Sequence, residues 1–227
     1  MPAHRKIERT TPRAMLTVNE IFHSIQGESS YAGQPCVFVR LTACDLRCSW
    51  CDTPYAFHEG RKRTVADVAA EVAAIGCPLV EVTGGEPLLQ DEVYPLMETL
   101  LAGGHRVLLE TGGHRSTARV PPEVVTILDV KCPASGESHR NDPDNLTRLR
   151  PHDEVKFVVQ DRADYEFARD VVARHDLAAR AAAIHFSPVH GVLAPADLAA
   201  WVLADRLPAR VQLQVHKLIW SPETRGV

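Results

Sequence analysis

No segment of the 227-residue sequence approaches the roughly 20 consecutive apolar residues that a membrane-spanning helix needs. No basic run of five or more residues occurs beyond the first thirteen residues. The 25 Lys and Arg against 29 Asp and Glu leave a net charge of −4 spread along the chain, which argues against nonspecific binding to nucleic acid or to a membrane surface. Repeats and linkers are also missing, so one domain is expected rather than an array. The stretch from Met1 to Arg13 is polar where a secretion signal would carry an apolar centre, and the chain reads as cytoplasmic. What is present suffices for one sizeable core, with 45% hydrophobic and 24% charged residues. Residues 1–14 lack apolar periodicity and are expected to form a mobile N-terminal extension, leaving 15–227 as a single domain.

Short runs rich in Val, Ile and Leu read as strands: Leu16 to Phe22, Cys36 to Leu41, Leu79 to Val82, His105 to Leu109, Val124 to Val130, Glu154 to Val159, Ala183 to Phe186 and Val211 to Val215. Helical patterns separate most of the later ones. Thr64 can cap a helix over Val65 to Ile75, and Pro87 is expected to open a helix toward Leu101 that Pro95 kinks. Arg162 to His175 and Pro195 to Arg206 carry helical periodicity. Unbroken apolar strands alternating with helices predict a parallel sheet covered by helices. Nearly every predicted strand is followed by a polar or glycine signal: Ser24 to Glu28, Thr42 to Cys44, Thr83 to Glu86, Glu110 to Gly112, Lys131, Ser187 and His216. Carboxyl ends of parallel strands share one face, and that face holds the active site. The expected fold is therefore α/β, a partial or modified TIM-like barrel whose marked residues converge at one end.

Six cysteines in a chain of this size, three of them between Cys44 and Cys51, fit metal or redox chemistry better than a disulfide framework. The spacing Cys44-x3-Cys48-x2-Cys51 puts three thiols on one short loop. A structural zinc site would want four ligands, and no second Cys-x2-Cys pair exists to supply them. Three thiolates on a four-iron cubane leave one iron open to an outside chelator, and the amino and carboxylate groups of S-adenosylmethionine suit that vacancy. A zinc turn or three packed thiols is the plainer alternative.

This loop, together with Thr83-Gly84-Gly85-Glu86-Pro87, resembles the radical S-adenosylmethionine superfamily and its methionine-binding glycine segment. Further motifs resemble one member family, 7-carboxy-7-deazaguanine synthase: Ile21 to Glu28, Gly33 to Leu41, Cys51-Asp52-Thr53, Glu110-Thr111-Gly112, Asp129 to Pro133 and His216-Lys217, in matching order over most of the chain. The resemblance implies a lyase that contracts 6-carboxy-5,6,7,8-tetrahydropterin to 7-carboxy-7-deazaguanine with loss of ammonia, on the route to queuosine in transfer RNA. It also implies a [4Fe-4S] cluster on Cys44, Cys48 and Cys51, magnesium at Thr53, a homodimer, and a flavodoxin or ferredoxin as electron donor. For the cofactor it implies Trp50, Cys51, Asp52, Gly85, Asp129, Val130 and Lys131; Glu110 and Ser187, at strand ends facing the same way, are further candidates by position. For the substrate it implies Ile25, Gln26, Gly27, Glu28, Arg40, Thr83, His216 and the terminal carboxylate at Val227.

These residue types suit such a substrate. Arg40 in an apolar strand can offer a two-point grip to a carboxylate, where the alternative is an ion pair. Gln26, Gly27, Glu28 and Thr83 can pair with the hydrogen-bonding edge of the pterin. Thr53 has the alternative of a local turn bond ahead of Pro54. Cys36, Cys77 and Cys132 read as small buried residues. Two other functions compete: a radical enzyme that activates a partner protein, and a noncatalytic iron–sulfur or zinc protein, which a fourth cysteine ligand would support and for which Cys36, Cys77 and Cys132 are formally available.

Overall fold

The computed structural model describes residues 15–227; the extension expected over 1–14 lies outside the described residues. The chain opens with β1 (Met15–Ile25), turns through residues 26–34, and returns as β2 (Pro35–Leu41). After the cysteine loop and a 3-10 turn (Pro54–Phe57) come β3 (Arg61–Thr64), α1 (Val65–Ile75), β4 (Leu79–Gly84), α2 (Val93–Ala102), β5 (Arg106–Thr111) and β6 (Val125–Asp129). The second half runs α3 (Pro143–Thr147), β7 (Glu154–Val159), α4 (Arg162–Arg174), α5 (Leu177–Arg180), β8 (Ala183–Pro188), α6 (Pro195–Ala204), β9 (Arg210–Val211) and α7 (Val215–Ile219). No helix among the described residues is long and apolar enough to cross a membrane.

Local chemistry sets several boundaries. Helix α1 starts where Thr64 Oγ1 accepts from the Asp67 N–H and the Asp67 carboxylate accepts from the Thr64 N–H, and it stops at Gly76 in the left-handed region at φ 77°. Asp161 caps α4 in the same way, accepting from the Asp164 N–H at 3.0 Å.

One nine-stranded sheet forms, in the order β3-β1-β2-β4-β5-β6-β7-β8-β9. From β2 onward in that order, all neighbours are parallel; β1 is antiparallel to both β2 and β3. Strands β6 and β8 are buried along their whole length, as expected for a sheet covered on both faces. The sheet also curls. In a flat sheet β1 and β7 would stand five strand spacings apart, about 24 Å. Yet Ser30, just past β1, donates its N–H to Glu154 of β7 at 3.0 Å, and Ser29 and Gln212 exchange hydrogen bonds at 2.8 Å. The fold is a partial barrel, with the loop after β1 reaching across its opening.

One strand was not marked in the sequence, and three expectations need correction. Strand β3, with its basic Arg61-Lys62-Arg63, pairs at the sheet edge, where charged residues are at home, and no apolar pattern marks it. Pro87 opens only a short 3-10 turn (Pro87–Leu89); α2 starts later, and Pro95 falls in its first turn, where no backbone donor is needed. The last strand is two residues long, and His216 lies in α7 rather than at a strand end. Finally, β1 runs against the parallel strands, so Gln26 to Glu28 start from the opposite end of the sheet from Thr83 and Glu110.

Candidate active site

A cavity of about 770 Å³ occupies the interior of the partial barrel. Its rim carries the cysteine loop. Leu46 anchors that loop in the core at 3% exposure, and Asp45 ties its outer side to the β5–β6 connection and beyond: His114 Nε2 lies 2.6 Å away, Arg115 Nη2 2.6 Å and Arg140 Nη2 2.7 Å. Burial opposes ionisation of Asp45, but these partners outweigh it and hold its carboxyl well below the usual range. Burial also pushes the Cys44 thiol up to about 11.

The turn after β4 packs directly on the cysteine loop. A Cβ on Gly85 would stand 2.3 Å from Ala43 O and 2.8 Å from Cys44 Cβ, so glycine is demanded by the neighbouring chain as well as by any ligand. Buried Glu86 then joins this turn to β5, accepting from the Leu88 N–H at 2.9 Å, the Thr111 hydroxyl at 2.8 Å and the Gly112 N–H at 2.8 Å.

The floor is built from ions. Lys156 of β7 donates to Glu28 and to Glu110, the latter at 2.5 Å. Gln26 donates its amide to Glu81 of β4 and accepts from the Glu28 N–H at 2.9 Å. Burial disfavours the Glu28 carboxylate, yet the Lys156 ammonium and the hydrogen bonds from Lys156 and Gln214 lower its pKa overall. Burial likewise disfavours the Lys156 charge, and the Glu110 and Glu28 carboxylates overcome it and raise its pKa well above the ordinary value. Gln214 links floor to rim: it donates to Glu28 at 2.5 Å and accepts from Lys217 at 2.7 Å, while Lys217 pairs with Asp52 at 3.0 Å. A Cβ on Gly27 would meet His216 Nδ1 at 2.0 Å, so α7 rests on the floor loop. Burial keeps His216 below its usual pKa, against the pull of Glu28.

Arg40 of β2 lines the cavity and gives its Nε to Glu20 at 2.8 Å, backed by the Tyr55 hydroxyl on the same carboxylate at 2.9 Å. Neither Nη donates a hydrogen bond among the described residues, so the planar fork keeps donors to offer. Asp129 pairs with Lys131 at 2.7 Å through Oδ2, whereas its buried Oδ1 has no hydrogen-bond partner among the described residues. Thr53 makes no side-chain capping bond to the turn that follows it, so the local role weighed for its hydroxyl is not filled.

The cavity brings together Ile25, Gln26, Gly27, Glu28, Arg40, Thr83, His216 and Val227 with Cys44, Cys48, Trp50, Cys51, Asp52, Thr53, Gly85, Glu110, Asp129 and Lys131. Two candidates stand behind its wall. Val130 packs in the core beside Leu128, its N–H bonded to Lys156 O at 2.9 Å, and Ser187 is buried with its hydroxyl unpartnered among the described residues. Residues overlooked in the sequence are Lys156, Glu81 and Gln214, and Lys217 appears there only within the His216-Lys217 motif, without a role. The signal that marked Arg40, a charge inside an apolar strand, applies equally to Val80-Glu81-Val82 and Val155-Lys156-Phe157.

The curled sheet with a three-cysteine loop over its cavity defines a radical S-adenosylmethionine protein, and residues 39–129 match the Radical SAM superfamily. Among curated relatives, the 7-carboxy-7-deazaguanine synthase of Koribacter versatilis is 52% identical over 226 residues, covering 93% of this chain and 100% of the relative. That of Chlorobaculum tepidum is 47% identical, covering 94% and 98%. The crystal structure of QueE from Escherichia coli shares the fold, with a TM-score of 0.72 at 23% identity over 89% of this chain and 95% of that one. The chain belongs to the 7-carboxy-7-deazaguanine synthase family. It is a radical S-adenosylmethionine lyase of 7-deazapurine biosynthesis whose cofactors are a [4Fe-4S] cluster and S-adenosylmethionine.

Proposed function

We propose that this cavity contracts 6-carboxy-5,6,7,8-tetrahydropterin to 7-carboxy-7-deazaguanine with release of ammonia, dividing the work between rim and floor. The observation that carries the division is the meeting of three thiols, an arginine fork and a paired-carboxylate floor around one cavity.

Cys44, Cys48 and Cys51 hold the cluster. The donor set fits: these three border the cavity, whereas Cys36, Cys77 and Cys132 are buried in the core, so no fourth thiolate closes the site. The noncatalytic carrier loses on the same ground the fourth ligand that would support it. The bound cluster supplies an electron to the sulfonium of S-adenosylmethionine. Around that cofactor stand Trp50, Asp52, Gly85, Glu110 and Lys131, and the unpartnered Asp129 Oδ1 fits a hydroxyl donor such as a ribose.

Arg40 grips the substrate carboxylate through its free Nη donors, and Ile25, Gln26, Gly27, Glu28, Thr83, His216 and Val227 surround the pterin. The Thr53 hydroxyl is a hard oxygen suited to magnesium, which commonly takes few protein ligands and completes its shell with water and an anionic substrate. The working enzyme is a cytoplasmic homodimer reduced by a flavodoxin or ferredoxin. Anaerobic reconstitution should give a cluster whose paramagnetic resonance changes when S-adenosylmethionine is added, and mass spectrometry should find 7-carboxy-7-deazaguanine from the carboxylated tetrahydropterin. An unchanged resonance with no product would overturn this reading.

A further inference from the structure

Losing ammonia from a ring breaks a carbon–nitrogen bond, and nitrogen leaves readily only when a proton reaches it. Given the ring contraction, the cavity needs a proton donor that the residues assigned so far do not supply. Arg40 does not release its proton. Lys156 is held as an ammonium between two carboxylates, and burial keeps His216 neutral.

Glu81 differs from all of these. It is the third residue of β4, lines the cavity, and is only 2% exposed. Its Oε2 accepts from Gln26 Nε2, while its Oε1 has no hydrogen-bond partner among the described residues. The floor ammonium is bonded to Glu28 and Glu110 and not to Glu81. Glu28 and Glu110 take the Lys156 ammonium between them, and the fully buried carboxyl left without a direct ion pair keeps its proton.

We propose that Glu81 rests as a neutral carboxylic acid in the cavity floor and donates its proton to the departing ring nitrogen. The groups facing it are Glu28 from the loop after β1, Arg40 and the Cys36 thiol from β2, Glu110 from β5 and Lys156 from β7. Burial first, then the charge of Glu110, drives the Glu81 pKa well above the ordinary range, and the opposing pull of Lys156 and Arg40 does not offset them. In the step, the carbon–nitrogen bond breaks with its electron pair on nitrogen, the Glu81 O–H breaks, and a new N–H forms. The carboxylate is reprotonated by the proton a ring carbon gives up as the new ring becomes aromatic. Substrate equals product plus ammonia, so no oxidant or reductant is consumed over the turnover and the floor regains its starting charge.

The test pairs spectroscopy with kinetics on the reconstituted holoenzyme. Infrared difference spectra of wild type against Glu81→Gln at neutral pH should show a carboxylic-acid carbonyl band that shifts in D2O and is missing from the variant. Glu81→Gln keeps an acceptor for Gln26 but carries no acidic proton, so kcat should fall about 100-fold or more, with KM and substrate affinity within about threefold of wild type. Wild-type kcat should decline as alkaline pH ionises Glu81, a limb the variant lacks, and Glu81→Asp should recover part of the loss. Should the variant fold poorly, glutamate-selective isotope labelling of the wild type still reads the acid band. Absence of that band, or kcat of Glu81→Gln within about fivefold of wild type, overturns the proposal, as does raised KM with kcat intact, which would leave Glu81 only positioning Gln26. A wild type that makes no product in the same assay, with the band present, would instead count against the ring-contraction reading.

Discussion

The rim and the floor of the cavity are held by opposite means. At the rim, Cys44, Cys48 and Cys51 stand half-buried and carry no ion pair of their own; the loop is positioned from behind by Asp45, Leu46 and Glu86. At the floor the charged groups that line the cavity are themselves the ties: Glu28, Glu110 and Lys156 join the loop after β1 to β5 and β7. A rim arranged this way leaves its ligating atoms free. A floor arranged the other way couples the charge state of the site to the closure of the barrel.

The sharpest way to break this contrast is at the rim. Cys48→Ala should lose the cluster and with it all turnover, because two thiolates do not hold a cubane against solvent, whereas Cys77→Ala, in the core, should keep its full iron content in a colorimetric assay. Iron and turnover retained in Cys48→Ala would remove the rim from the chemistry.

At the floor the larger effect should be on stability. Lys156→Met strands two carboxylates around an empty place, and urea unfolding should show a loss of about 3 kcal/mol near neutral pH. The sign with pH follows from Glu28, whose folded pKa lies below its ordinary value of 4.5. Its pairing contributes fully above that pH and is lost as pH falls through the folded value. Wild type should therefore weaken on acidification, while the variant, with no pairing to lose, should weaken less. Parallel curves would show that the floor is not held by this pair.

Thr53→Ala sits between the two regions. It should keep cluster and S-adenosylmethionine binding and lose most of the rise in turnover that added magnesium gives the wild type; an intact response would exclude Thr53 as a ligand. The smallest effect is expected for Arg40→Lys, which keeps charge but not the planar fork. A rise in substrate KM of about tenfold should appear, roughly 1.4 kcal/mol, with S-adenosylmethionine affinity unchanged. Equal losses for both ligands would point to the Glu20–Tyr55 support of Arg40 rather than to its grip.

The two regions also differ in how far they could be read from the chain. The rim is contiguous: eight residues from Cys44 to Cys51 carry its donors, and the spacing alone limits what they can hold. The strand Glu154–Val159 and the helix Val65–Ile75 were equally plain, one an apolar run and the other closed by a capping box and a glycine. The floor was half legible. Gln26 to Glu28 belonged to a motif, but Glu81 and Lys156 are single charges in apolar strands 75 positions apart, and nothing local says that they face the same space. The placement of His216 at a strand end failed because Val211 to Val215 has the composition of a strand, yet the sheet ends after Val211 and the chain turns onto Gly27 instead.

The sequence by itself determined the three-thiol chemistry, the parallel strands with their helical connections, and the arginine whose charge needed a purpose, because each rests on residues within one turn or one strand of each other. The reversal of β1, the passage of its loop across the barrel opening, and the count of three carboxyls to one ammonium were decided only by the tertiary structure. Strand direction depends on which edge pairs with which. A carboxyl's protonation depends on which charges the folded chain brings within a few ångströms and how much water it removes around them.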